Sequence, residues 1–176
     1  LIISDFEEQL LKNTIGISSE LLQHLPFFLD TVDESTKLSW PGYNERNHFM
    51  TIGNFRHAPN MDAVRFLKKD IWPLIRKQLP DSKLHIYGAY ASQEAKQMHD
   101  PQDGFFIEGR AESALDVISE AKVMLAPLRF GAGLKGKLIE AMQSGTPSVT
   151  TEIGSEGIKG ECEWSGIIAD DLDEFT

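Results

Sequence analysis

From His48 onward the chain alternates short, nearly continuous apolar runs with longer stretches of helical period, and this alternation narrows the fold more than any other feature. The runs are "FMTIG" (49–53), "LHIYG" (84–88), "FFIEG" (105–109), "KVMLAP" (122–127), "SVTT" (148–151) and "GIIA" (166–169). Strands that are apolar at almost every position are buried on both faces, whereas a half-exposed strand alternates. Between them the spacing predicts helices over 61–79, 92–99, 112–120 and 134–144. In the first, Ala63, Val64, Leu67, Ile71, Ile75 and Leu79 recur at three- and four-residue steps, with basic residues on much of the remainder. Pro73 lies inside this pattern and is expected to kink or divide it. The pattern predicts an α/β fold, a Rossmann-like parallel sheet with helices on both faces and right-handed crossovers. Ligands of such sheets bind beyond the carboxyl ends of the strands, so the loops at 53–60, 88–92, 109–113, 127–137 and 151–157 are where function is sought.

Residues 1–47 read differently. "LII" followed by "SDFEEQLLKN" resembles a last strand and helix of a preceding domain, and "LPFFLDTVDESTKLSWPGYNER" has the prolines, acids and polar residues of a connector. The boundary is placed near residue 47, with 48–176 as the ligand-binding domain. A start at Leu1 and an end in "DDLDEFT", which reads as a helix just beginning, predict a piece of a longer protein, truncated at its C-terminal end. A formal net charge of −10 argues against bulk nucleic-acid binding, which needs a basic surface. The one cysteine, Cys162, cannot form an internal disulfide and points to a reducing, cytoplasmic setting. No apolar run approaches the roughly 18–20 residues of a membrane span. His24, His48, His57, His85 and His99 show no metal-ligand spacing.

The stretch "PLRFGAGLKGKLIEAM" (127–142) holds three glycines and two lysines at the start of a predicted helix. A helix N-terminus carries about half a positive charge, so Lys135 and Lys137 sit where cations are disfavoured by a few tenths of a kcal/mol each. A bound anion would reverse that sign. Gly131, Gly133 and Gly136 spell G-x-G-x-x-G, and Glu152 lies about twenty residues on, as in an NAD-type dinucleotide site. That fingerprint belongs after the first strand of its fold, however, and here three strand–helix units precede it. A Walker loop fits less well, because Leu138 stands where its hydroxyl would be. The other chemistry is a nucleoside diphosphate held by glycine backbone and the first helical turn, with Arg129, Lys135 and Lys137 supplying charge and Glu140 accepting from a ribose diol. The bland reading is a tight turn followed by a surface Lys137–Glu140 pair worth about 0.2–0.5 kcal/mol. Spacing alone does not choose between them.

The residues also carry a resemblance. "KVMLAPLRFGAGLKGKLIEAMQSGTPSVTTEIGSEGI" resembles the donor-binding region of group 1 retaining glycosyltransferases of the GT-B fold, and "FMTIGNFRHAPNMDAVRFLKKDIWPLIRKQLPDSKLHIYGAY" is similar to the opening of the same domain in a bacterial subgroup. The resemblance implies the C-terminal half of a two-domain fold, which takes a nucleotide-diphosphate sugar while a missing N-terminal domain takes a glycan, lipid-linked or small-molecule acceptor. It implies that Glu140 holds the ribose, that Lys135, Gly133 and Leu134 meet the diphosphate or sugar, and that Gly109 and Arg110 flank the base. Asn54 stands where relatives carry a phosphate-binding arginine, and Arg56 and His57 lie toward the donor sugar, unless Asn60 and its neighbours serve only as helix caps. It implies catalysis without a cofactor or metal, and a cytoplasmic protein with room for a peripheral position at the inner membrane face. One departure is plain: the carboxylate that relatives carry eight residues before Glu140 is Ala132 here. A non-catalytic α/β module that has lost its ligand is therefore the second alternative beside the NAD-type oxidoreductase. The fragment alone is expected to be inactive.

Overall fold

The computed structural model describes residues 1–160 and 162–176. Six strands, Phe49–Ile52 (β1), Leu84–Tyr87 (β2), Phe105–Gly109 (β3), Val123–Ala126 (β4), Ser148–Thr150 (β5) and Gly166–Ile168 (β6), form one sheet in the order β3-β2-β1-β4-β5-β6. Every pairing is parallel. The expected strands are all present. Five are a residue or two shorter than their apolar runs, flanking positions such as Gly53, Gly88 and Pro127 falling just outside the strands.

The helices are Asp5–Leu10 (α1), Glu34–Ser39 (α2), Ala58–Phe66 (α3), Trp72–Gln78 (α4), Gln93–Gln97 (α5), Ala114–Glu120 (α6), Gly136–Gln143 (α7), Glu152–Ser155 (α8) and Leu172–Phe175 (α9). The single helix expected over 61–79 is thus divided. A π-helical turn, Leu67–Ile71, separates α3 from α4, and Pro73 occupies the first turn of α4. Proline has no N–H to return to the preceding turn, and the wider turn ahead of it absorbs the mismatch. The helix also begins earlier than expected, with His57 rather than Asn60 at its N-cap position. Leu79, read as part of the apolar stripe, falls after the helix and is 51% exposed.

Helices cover both faces of the sheet. On one, Val64, Leu67, Ile71 and Trp72 pack against Leu84, Ile86 and Phe105; Trp72 is fully buried and its indole N–H donates to Asp103 O at 2.8 Å. On the other, Ile118 and Ala121 of the α6 region and Leu138 and Ala141 of α7 pack against Met50, Met124 and Ala126. Each fully buried large side chain contributes about 1.5–3 kcal/mol. In the N-terminal stretch the expected strand does not form. Ile2 makes only an isolated parallel bridge with His24, and Ser4 caps α1 by accepting from Glu7 N. The connector holds α2, capped by Asp33.

The strand order positions the site. The chain runs outward from β1 through β2 to β3, then returns to the other side of β1 for β4, β5 and β6. Loops after β1 and β4 therefore leave in opposite directions and open a crevice between them.

Candidate functional site

Two loops wall this crevice: 53–57 after β1 and 127–135 after β4. The second needs its glycines, since Gly131 has φ +138 and Gly133 φ +75, backbone angles that residues with a Cβ rarely adopt. A cavity of ≈ 410 Å³ opens here, with His57, Asn60, Gly131, Leu134, Lys135 and Lys137 among its lining residues. The structure thus brings the candidate ligand-binding residues His57, Gly131, Leu134, Lys135 and Lys137 to one cavity at the N-terminal end of α7.

The three cations of the loop are held in three different ways. Lys135 occupies the N-cap position of α7 and is 8% exposed, and its Nζ has no hydrogen-bond partner among the described residues. Burial pushes its ammonium below the usual lysine range, offset in part by the charges of Glu156 and Glu7. Lys137, one residue into α7, donates from Nζ to Asn60 Oδ1 at 2.8 Å, and burial lowers it to about 8. The surface pair with Glu140 does not form. Arg129 is turned away into a bidentate pair with Asp62 (Nε to Oδ2 2.9 Å, Nη2 to Oδ1 2.6 Å) and lies over the Phe66 ring. The guanidinium holds Asp62 below the usual carboxylate range.

A buried ammonium with no hydrogen-bond partner among the described residues, its burial only partly offset by the charges of Glu156 and Glu7, is a costly arrangement at the positive end of an eight-residue helix. It becomes favourable when an anion enters, because both the charge and the free N–H groups of the first turn then acquire partners. Phosphate oxygens fit this chemistry, and Gly133 and Gly136 let backbone approach them closely.

Glu140 stands one helical turn further on and opens into a second cavity of ≈ 410 Å³, lined by the connector from Phe27 to Asp33 together with Leu115 and Gln143. Its carboxylate has no side-chain partner among the described residues, and burial raises it above the usual range. Gln143 donates to Asp30 O at 2.6 Å, which pins the connector against α7. The remaining candidates lie outside both linings. Asn54 closes its own turn, its Oδ1 accepting from Arg56 N at 2.9 Å. Arg56 lies over the Tyr90 ring at 3.9 Å, and Tyr90 itself is held at φ +61. Gly109 ends β3 at φ +79, and Arg110 after it is exposed.

Sequence reasoning missed the partners: Asp62, which engages Arg129, and Asn60 as the residue that holds Lys137. An acid and a basic residue 67 positions apart leave no local signal. It also missed one gathering of ligand-type atoms, Asp5, Glu8 and His24 within 4.8 Å, where Glu8 is already paired with Lys12 at 2.6 Å. Among the described residues no helix is long and apolar enough to cross a membrane.

The family model described as "Glycosyl transferases group 1" matches residues 46–176. A 44.6 kDa protein of the cps region of Klebsiella pneumoniae is 30% identical over 113 residues, 60% of this chain and 29% of its own length. Among solved structures, a variant of S. aureus TarM determined with UDP matches with TM-score 0.71 at 15% identity, over 99% of this chain and 34% of that one. The pneumococcal O-GlcNAc transferase GtfA, in complex with UDP and GlcNAc, gives 0.68 at 19%, over 98% and 34%. WaaG, a glycosyltransferase of lipopolysaccharide biosynthesis, gives 0.59 at 14%, over 89% and 44%. At these identities the structures speak for the fold alone, and the chain spans less than half the length of each relative. None of these likenesses supports an NAD-type oxidoreductase.

Proposed function

The chain belongs to the group 1 glycosyltransferases, and from that membership we propose that the β1–β4 crevice binds a nucleoside-diphosphate sugar for retaining glycosyl transfer. The acceptor is held by a domain outside this chain. The observation that carries the reading is the buried, unpartnered ammonium of Lys135 at the N-terminus of α7. A diphosphate there accepts from Lys135, Lys137 and the first-turn N–H groups. As the glycosyl bond breaks, negative charge grows on the leaving diphosphate, and these fixed positive groups stabilise it without reorganisation. They supply what a metal supplies in other designs, so no cofactor is proposed.

Glu140 accepts from the ribose hydroxyls, its unpaired carboxylate being free to do so. Four residues of helix, about 6 Å of rise, separate it from the Gly136 turn, a spacing that suits a ribose and its phosphates. Gly109 and Arg110 take the base side, and Arg56 and His57 the sugar side. The exposed Cys162 and the acidic composition fit a cytoplasmic protein acting on glycans or their lipid-linked precursors.

The test is thermal stability and calorimetry against UDP, GDP, ADP and NAD. UDP comes first, because two of the similar structures hold it. Binding of one nucleoside diphosphate and not NAD is expected. Failure of all nucleotides to bind would favour the reading as a module that has lost its ligand.

A further inference from the structure

We propose that Asn60 is a positioning residue of the crevice: its amide fixes the Lys137 ammonium beside the phosphate site without neutralising it. This rests on the donor-binding reading. Both ends of the amide are engaged. Nδ2 donates to Asn54 O at 3.1 Å, which leaves Oδ1 as the only end that can face Lys137, 2.8 Å from Nζ. The amide is also wedged in place, since a Cβ on Gly53 would lie 2.5 Å from Asn60 Cγ. Glycine at 53 is what lets this side chain pack against the end of β1.

The neutrality of the partner is the point. Arg129 shows the other outcome in the same loop, where Asp62 engages the guanidinium at both oxygens. A carboxylate at position 60 would hold Lys137 with similar geometry but cancel its charge against an incoming anion. Among the described residues nothing else that lines its surroundings does so. Lys137 lines two cavities; among the described residues His57 and Lys135 are the other titratable groups of the first, Tyr87 of the second, and no carboxylate lines either. With no negative neighbour among the described residues, burial sets its titration at about 8. The ammonium is therefore present at neutral pH and lost above it, and diphosphate affinity falls as pH rises through that value.

Calorimetric titration of UDP into the protein from pH 7 to pH 10 tests this, with Asn60→Asp and Asn60→Leu compared by melting temperature to establish folding. In wild type, affinity is expected to decline with a midpoint near pH 8. Asn60→Asp should bind at least about tenfold more weakly at pH 7 and show its decline at higher pH, because the carboxylate keeps Lys137 protonated. A merely structural role would weaken binding without moving the midpoint. Asn60→Leu should weaken binding without raising the midpoint. Wild-type affinity and midpoint in Asn60→Asp overturn the proposal while the donor reading stands; if that variant does not fold, wild-type affinity in Asn60→Leu overturns it. No binding of UDP, GDP or ADP by wild type overturns the donor reading, and this inference falls with it.

Discussion

Arg46 Nη1 donates to Thr146 Oγ1 at 2.7 Å, across 100 residues of sequence. The same buried guanidinium donates to Ser144 O at 3.1 Å and, through Nε, to Pro41 O at 2.9 Å. It thus closes the C-terminal end of α7, where carbonyls lack helical partners and a positive charge meets the negative end of the helix. Arg46→Ala should destabilise the protein by about 2–3 kcal/mol, the cost of leaving several buried acceptors unpaired. Arg46→Lys should recover less than half, because an ammonium cannot reproduce the planar fork. Urea denaturation with an unchanged m-value checks both.

Lys135 is the reverse case, a side chain that costs stability. Its ammonium is buried with no partner among the described residues, so Lys135→Ala should leave the melting temperature unchanged or raise it. The same variant should bind nucleoside diphosphate about 10- to 100-fold more weakly, the loss of a charge-assisted contact. Melting and calorimetry on one preparation separate the two effects. A fall in stability together with unchanged affinity would make Lys135 structural.

The sheet was legible because its strands are apolar on both faces and its helices periodic, and all six strands lie where those runs are. Helix boundaries were less so. The start of α3 at Ala58 depends on Pro59, which prefers the first turn, and its end on a π-helical turn that compensates Pro73; neither follows from period alone. In the site, the glycines and lysines of 131–137 stood out because their charge runs against the helix dipole. What could not be read was which cation was already spoken for. Arg129 and Lys137 look equivalent in sequence, and Asp62 and Asn60, from a helix some 70 residues earlier, make them different. The Phe27–Asp33 connector, read as a mere link, lies over Glu140 through tertiary packing alone.

His48 makes stability depend on pH in a definable window. Its Nε2 is buried without a partner, and burial, with His85 acting in the same sense and Glu108 against it, lowers the ring to about 4. The unfolded chain takes up this proton near 6.5 and the folded chain resists it, so the contribution is complete above about pH 6.5 and is lost as pH falls toward 4. The expected loss is on the order of 1–2 kcal/mol after allowing for partial exposure. His48→Phe, which keeps an aromatic edge against His85, should remove this loss across that interval. Carboxylates held low by cations, such as Asp62 by Arg129 and Asp100 by Lys68, give way only at lower pH, which keeps the two effects apart.

Glu140 carries the opposite sign. Burial raises its carboxyl, so the folded protein holds this proton more tightly than the unfolded chain, and the ionised side chain is a net cost at neutral pH. Glu140→Gln removes the charge and keeps the shape, and should raise the melting temperature at pH 7 while leaving stability near pH 4 unchanged. If the carboxylate accepts both ribose hydroxyls, the amide, with one acceptor oxygen, should lower affinity for a nucleoside diphosphate by about tenfold. Inorganic pyrophosphate, which has no ribose, should bind wild type and Glu140→Gln alike. Equal losses for both ligands would mean that Glu140 shapes the phosphate site rather than the ribose site, and its assignment to the ribose hydroxyls would have to be given up.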